Sequence, residues 1–375
     1  MISESIIQPS KDQSENILNS KLLATINVGV NPTAMAITSD SSKLYVANGN
    51  NYGITGSDTV TLIDLNTFMP ISTITSGTFH QPYSITLSKD GTKAYVTNSN
   101  AATISIIDTA SNQVTGTITG FNGPSGMVIT PDGTKAYVNN YGASAAVPSG
   151  SGNSVSVVDL ISEEVIEEIT LNEYGQPAAA PAAIAISPNG DFVYTANYVN
   201  GEPWQGTLSK ISTATNTVVN TFGGSPFIGN IPFMFGVFSI KIDAAGKYAY
   251  LTNFGSNNFA PYGTTVCVIN LEQDSQTSLI ETGIQPAGFD ITTDGRYGFV
   301  SNYNTLYSSG APNFSGLTAG QGTVNIIDLT TNLLVPITIN VGQSPGSILM
   351  SPDGKYAIVS NYTANTVSVI GVYGA

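Results

Sequence analysis

A chain of 375 residues could form two average domains or one closed all-β domain, and length alone does not separate them. Charged residues are only 10% of the total, Gly numbers 38 and Pro 19, and long helical periodicity is absent; this argues against an α/β enzyme fold and for many short strands joined by tight turns. With 11 Lys+Arg against 25 Asp+Glu the formal net charge is −14, which repels phosphate backbones and anionic membranes, so nucleic acid is a disfavoured partner.

In chain order, residues 1–20 (MISESIIQPSKDQSENILNS) have no basic region followed by an apolar one, so the given chain shows no secretory signal. They read as a polar tail. Nowhere do about 18 apolar residues run together, which predicts a soluble chain with no membrane span. From residue 21 to 375 a single domain is expected, because one unit recurs seven times. Each copy has a turn at Asp40, Asp90, Asp132, Asn189, Ala245, Asp294 or Asp353. An Asn follows at a fixed spacing: Asn48, Asn98, Asn140, Asn197, Asn253, Asn302 and Asn361. Upstream stand Pro32, Pro82, Pro124, Pro181, Pro286 and Pro345, with Val237 in the fifth copy, and downstream runs such as TVTLID, TISIID and TVSVIG read as strands.

Repeats of roughly 40–60 residues, each holding several short strands, are the signature of propeller blades. In each copy strand a follows the Pro, strand b ends at the Asn, strand c is the TISIID-like run, and strand d is polar, as in the Glu163, Glu164, Glu167 and Glu168 segment. Charge on an outer edge strand discourages edge-to-edge aggregation. Cys267, the single cysteine, lies in an apolar strand c and reads as a buried hydrophobe. The last copy stops after strand c, while ATINVG at Ala24 to Gly29 nearly repeats ITINVG at Ile337 to Gly342. Residues 22–29 are therefore expected to supply the missing strand. The predicted fold is all-β: a seven-bladed β-propeller of four-stranded antiparallel blades, closed by the N-terminal strand joining the C-terminal blade.

The tetrapeptides YVTN (Tyr95 to Asn98), YVAN, YVNN, YTAN and YLTN, with SPDG at Ser351 to Gly354, resemble the YVTN-repeat seven-bladed propellers over residues 21–375. The resemblance implies the propeller fold. Relatives include surface-layer and periplasmic binding proteins, lactonases and propeller subunits of amine dehydrogenases, so it does not select a function.

Loop length singles out one face. The a-b and c-d turns are short, whereas the b-c loops include GNNYGITGSD, YGASAAVPSGSGN, YVNGEPWQG, FGSNNFAPYGT and the long Tyr303 to Gly322 segment. Binding residues concentrate on long loops of rigid scaffolds. The candidate ligand-binding residues are Trp204, Tyr307 and Phe314 from these loops and His80, Gln81, Tyr83, Phe235, Phe238 and Gln285 from the d-a entries; Tyr52, Phe259 and Tyr262 are further loop aromatics. Aromatic rings beside amides suit a protein, glycan or small-molecule ligand, and packing among the loops is the competing account. Tyr141, Tyr198, Phe254, Tyr303 and Tyr362, each directly after the repeated Asn, either ring the channel mouth or pack between blades.

His80 is the sole histidine, so zinc sites needing several imidazoles are ruled out, and no cofactor or metal is expected. Asp64, Asp108, Asp159 and Asp328 recur at the ends of strands c, where a turn role is expected over metal binding. No nucleophile elbow or phosphate loop is present. The expected function is a non-catalytic, monomeric binding scaffold. The alternatives are a lactonase-like hydrolase using His80 with a carboxylate such as Glu202, and an accessory propeller subunit of a redox enzyme.

Overall fold

The computed structural model describes residues 17–49, 58–142, 152–171, 179–199, 206–223, 236–255, 262–304 and 320–373. Seven four-stranded antiparallel sheets follow one another along the chain. Blade two is representative, with strands a to d at Pro82–Leu87, Lys93–Asn98, Thr103–Asp108 and Gln113–Thr119. The innermost strands a are Pro32–Ile37, Pro82–Leu87, Pro124–Ile129, Ala179–Ile186, Val237–Ile242, Pro286–Ile291 and Pro345–Met350. Each packs on the next, and the seventh packs on the first, so the ring is closed around a central channel.

The YVTN-like tetrapeptides can be explained residue by residue. Strand b is covered on both faces by neighbouring blades, so Leu44, Tyr45, Val46 and Ala47 are all fully buried. The Tyr ring belongs to this core, while its hydroxyl reaches a turn of the next blade: Tyr45 Oη donates to Asn112 Oδ1 at 3.1 Å and Tyr137 Oη to Asn216 Oδ1 at 2.6 Å. The hydroxyl residue at the third position joins the innermost strand of the next blade. Thr97 Oγ1 donates to the Ser125 carbonyl at 2.8 Å, Thr252 Oγ1 to Ala287 at 2.7 Å and Ser301 Oγ to Gly346 at 2.6 Å. The final Asn binds strand c within its own blade. Asn140 Nδ2 donates to Ser154 Oγ and Ser156 Oγ, both at 2.9 Å, and Asn361 Nδ2 to Thr366 Oγ1 at 3.0 Å and Ser368 Oγ at 2.9 Å. A side chain opposite that Asn would collide with it; a Cβ at Gly342 would lie 2.5 Å from Asn361 Cγ.

Hydrophobic cores form between blades rather than within them. One cluster joins Tyr45, Val60 and Leu62 of blade one to Ile85, Val96 and Ile107 of blade two. Burying each such side chain contributes about 1.5–3 kcal/mol, so every blade depends on its neighbours.

Lys21–Asn27 adds to blade seven as its outer strand, with Leu22 opposite Ile370, Ile26 opposite Val367 and Asn27 opposite Thr366. The Asn365 side chain accepts the Asn31 N–H at 2.8 Å and its carbonyl accepts the Val28 N–H at 3.0 Å, which secures the entry into blade one. Packing extends further upstream than the polar composition suggests. Ile17 opens a 3-10 turn, Ile17–Asn19, and is buried in the core that includes Val335, Ile339 and Val341.

The opposite end of the blades, where a-b and c-d turns lie, is uniform. Asp90 Oδ1 accepts from Ser88 Oγ at 2.6 Å and from the Thr92 N–H at 3.1 Å, and Gly91 sits at φ 72. Left-handed backbone of this kind is easy for Gly, and Ser41 takes the same place in blade one at φ 59. At the ends of strands c, Asp108 caps Ser111, Asp159 caps Ile161 and Ser162, and Asp328 caps Thr330. Their carboxyls are held below the ordinary carboxylate range by these hydrogen bonds. Turn closure accounts for these aspartates without a metal.

Candidate functional site

At the loop-rich end of the channel, the residue just before strand a adopts left-handed backbone in six blades: Asn31, Gln81, Gly123, Gly236, Gln285 and Ser344, with φ between 53 and 58. Its carbonyl accepts the N–H of the residue that follows the repeated Asn. The pairs include Ser99 to Gln81 at 3.1 Å, Tyr141 to Gly123 at 3.0 Å, Phe254 to Gly236 at 3.3 Å, Tyr303 to Gln285 at 2.9 Å and Tyr362 to Ser344 at 2.9 Å. The aromatic residues at the starts of the b-c loops are thus fixed by the backbone beside the channel entrance.

Sequence position alone could not rank the candidate residues by accessibility, and they differ. His80 is exposed, Gln81 is half-buried, and Gln285 is fully buried behind the entrance, where its N–H also donates to the Gly263 carbonyl at 2.8 Å. Tyr83 and Phe238, at equivalent positions one residue into strands a of blades two and five, are 37% and 42% exposed. Trp204, Phe235, Tyr307 and Phe314 lie outside the described residues, as do Glu202, Tyr52 and Phe259.

The two exposed rings each head an aromatic group. Phe238 stacks on Phe254 with ring centroids 5.3 Å apart, and Phe254 meets Tyr303 edge-on at 5.5 Å. Tyr83 lies within electrostatic reach of Tyr141 and Tyr362, and its phenol is pushed up to about 12, chiefly by burial and then by those two rings. Tyr83 is thus crowded by protein and yet keeps an accessible surface. The rings after the repeated Asn therefore both pack and line: Phe254 is buried, while Tyr141, Tyr303 and Tyr362 are half-buried.

Sequence reasoning missed one pair on the innermost strands. Lys241 and Asp290, at equivalent positions of blades five and six, are the only charged residues on the seven innermost strands, and Lys241 Nζ lies 2.6 Å from Asp290 Oδ1. Asp290 Oδ2 also accepts the Met350 N–H at 2.8 Å, so its carboxylate is held from two neighbouring blades. Alignment of strands a would have exposed the pair as the sole charges in otherwise neutral sequence. Among the described residues no group of three His, Cys, Asp or Glu side chains could hold a metal ion, and no helix is long and apolar enough to cross a membrane.

No family model matches the chain, and no curated protein matches it. Among solved structures it is similar to Kuenenia stuttgartiensis hydrazine synthase. The TM-score is 0.73 at 21% identity, over 92% of this chain and 96% of that one. Identity at this level shows a shared fold.

Proposed function

We propose that this propeller is a binding scaffold of the YVTN-repeat kind, without catalysis of its own, that receives its ligand or partner at the loop-rich end of the channel. The observation that carries this reading is the pair of exposed aromatic residues, Tyr83 and Phe238, backed by four further rings, on innermost strands whose one other aromatic residue, Phe289, is buried. Large apolar side chains left open to solvent at the centre of a rigid ring favour contact with another molecule. The hydrolase reading rests on His80, which is exposed, and on Glu202, which lies outside the described residues. The accessory-subunit reading has one pointer, the fold likeness to hydrazine synthase.

Co-purification with wild type, with a Tyr83→Ala/Phe238→Ala double variant and with residues 305–320 replaced by a short Gly-Ser link tests the binding reading. Capture of a ligand or partner that both variants lose is the expected result. Retention by both variants, together with loss on changing the Asp90-Gly91 turn, would move the working face to the other end.

A further inference from the structure

We propose that the loop-rich mouth of the channel is an aromatic cage for a small organic cation, a tertiary or quaternary alkylammonium. The inference rests on the reading that this end of the channel binds a ligand, and it names the chemistry of that ligand. Three observations carry it.

The first is geometric. Tyr83 and Phe238 stand at equivalent positions of blades two and five, three blade interfaces apart in one direction round the ring and four in the other, so they lie on opposite sides of the entrance. The equivalent positions on the other five blades are Thr33, Ser125, Ala182, Ala287 and Gly346, all small, so no third bulky side chain stands at this position of strand a.

The second is the kind of surface presented. Tyr141 and Tyr362 lie by Tyr83, and Phe254 and Tyr303 by Phe238. An aromatic face carries negative potential and attracts a cation, most strongly where water is partly excluded. The raised Tyr83 phenol stays neutral over the working pH range, so a ligand meets its ring and not a phenolate.

The third is charge. A net −14 concentrates cations near the protein. The single cation on the innermost strands, Lys241, is committed to Asp290, so these strands offer an anionic ligand no uncompensated positive partner. A neutral ligand would draw nothing from the field, whereas an alkylammonium, with its weakly hydrated charge, uses both the rings and the field.

The test is calorimetric titration of the full chain with choline chloride and with its neutral isostere 3,3-dimethylbutan-1-ol at matched ionic strength. Choline should bind about tenfold or more tighter than the alcohol. Tyr83→Phe should keep that preference, and Tyr83→Ala and Phe238→Ala should each weaken choline by about fivefold or more with unchanged melting temperature. Equal binding of the two compounds, lost in both alanine variants, would overturn the cation assignment while leaving a ligand site at this mouth. Choline binding unaltered by the double alanine variant, or no choline binding at about 50 mM, far above typical cage affinities, would also overturn it.

Discussion

Truncation from the N-terminus should reveal two steps, and the structure sets their sizes. The 1–16 deletion, which begins at the first described residue, is the reference. Removing 1–20 also removes Ile17, whose side chain is buried against Val335, Ile339 and Val341, at a cost of about 2–3 kcal/mol. Removing 1–27 strips the outer strand from blade seven. Six register pairs from Lys21 opposite Gly371 to Asn27 opposite Thr366 are lost, and net hydrogen-bond contributions near 1 kcal/mol each make this about 6 kcal/mol. Exposure of the core around Ile26 adds about 2 kcal/mol. The loss rivals the whole stability of a typical protein, about 5–15 kcal/mol, and it leaves Thr366–Gly371 as a bare edge. Against that reference, scanning calorimetry with sedimentation velocity should show a drop of several degrees for the 1–20 deletion and an unfolded or aggregated product for the 1–27 deletion. A 1–27 deletion melting within about two degrees of the 1–16 deletion would refute the role of this strand in closing the ring.

Asn140→Ala leaves the Ser154 and Ser156 hydroxyls without their shared donor and should cost about 2–4 kcal/mol by urea unfolding, while Ser156→Ala alone should cost less. The carboxyls of Asp40 and Asp90 lie at about 2, below the ordinary 3.8, chiefly through the hydroxyls of Thr38 and Ser88. Stability from a depressed carboxyl is complete above its unfolded value and is lost as pH falls toward the folded one, so the melting temperature should decline between about pH 4 and pH 2, less steeply in Asp90→Asn. Cys267 is fully buried and its thiol is pushed up to about 12 by burial, so a thiol reagent at pH 8 should leave it unlabelled in the native protein and label it fully in urea.

The parts of the fold legible in the sequence are those where one backbone demand is met seven times. The Asn landmark marks the strand b to strand c tie, the hydroxyl beside it marks contact with the next blade, and the likeness of ATINVG to ITINVG marks the closing strand. What stayed hidden depends on single residues meeting across blades. Ile17 gives no periodic signal, and Lys241 and Asp290 stand out as a pair only once the seven strands a are aligned. The candidate site was legible only in part for the same reason. Tyr83 and Gln285 look alike as polar or aromatic entries to a blade, but Tyr83 stands inside strand a and keeps an exposed surface, while Gln285, one residue before its strand, is buried with its N–H on the Gly263 carbonyl of the preceding blade.

The pairing of Lys21–Asn27 with Thr366–Gly371 also sets a timetable for biosynthesis. On the ribosome the closing strand is made before every other strand of the ring and its partner after them, so blade seven waits for all six other blades. Blades two to six can assemble on one another as they emerge, because their contacts are with adjacent blades. Throughout that interval the early strand has no edge to join and the growing stack exposes the apolar face of its newest blade. Translation speed and chaperone occupancy should therefore govern the yield of this protein more strongly than the stability of any single blade.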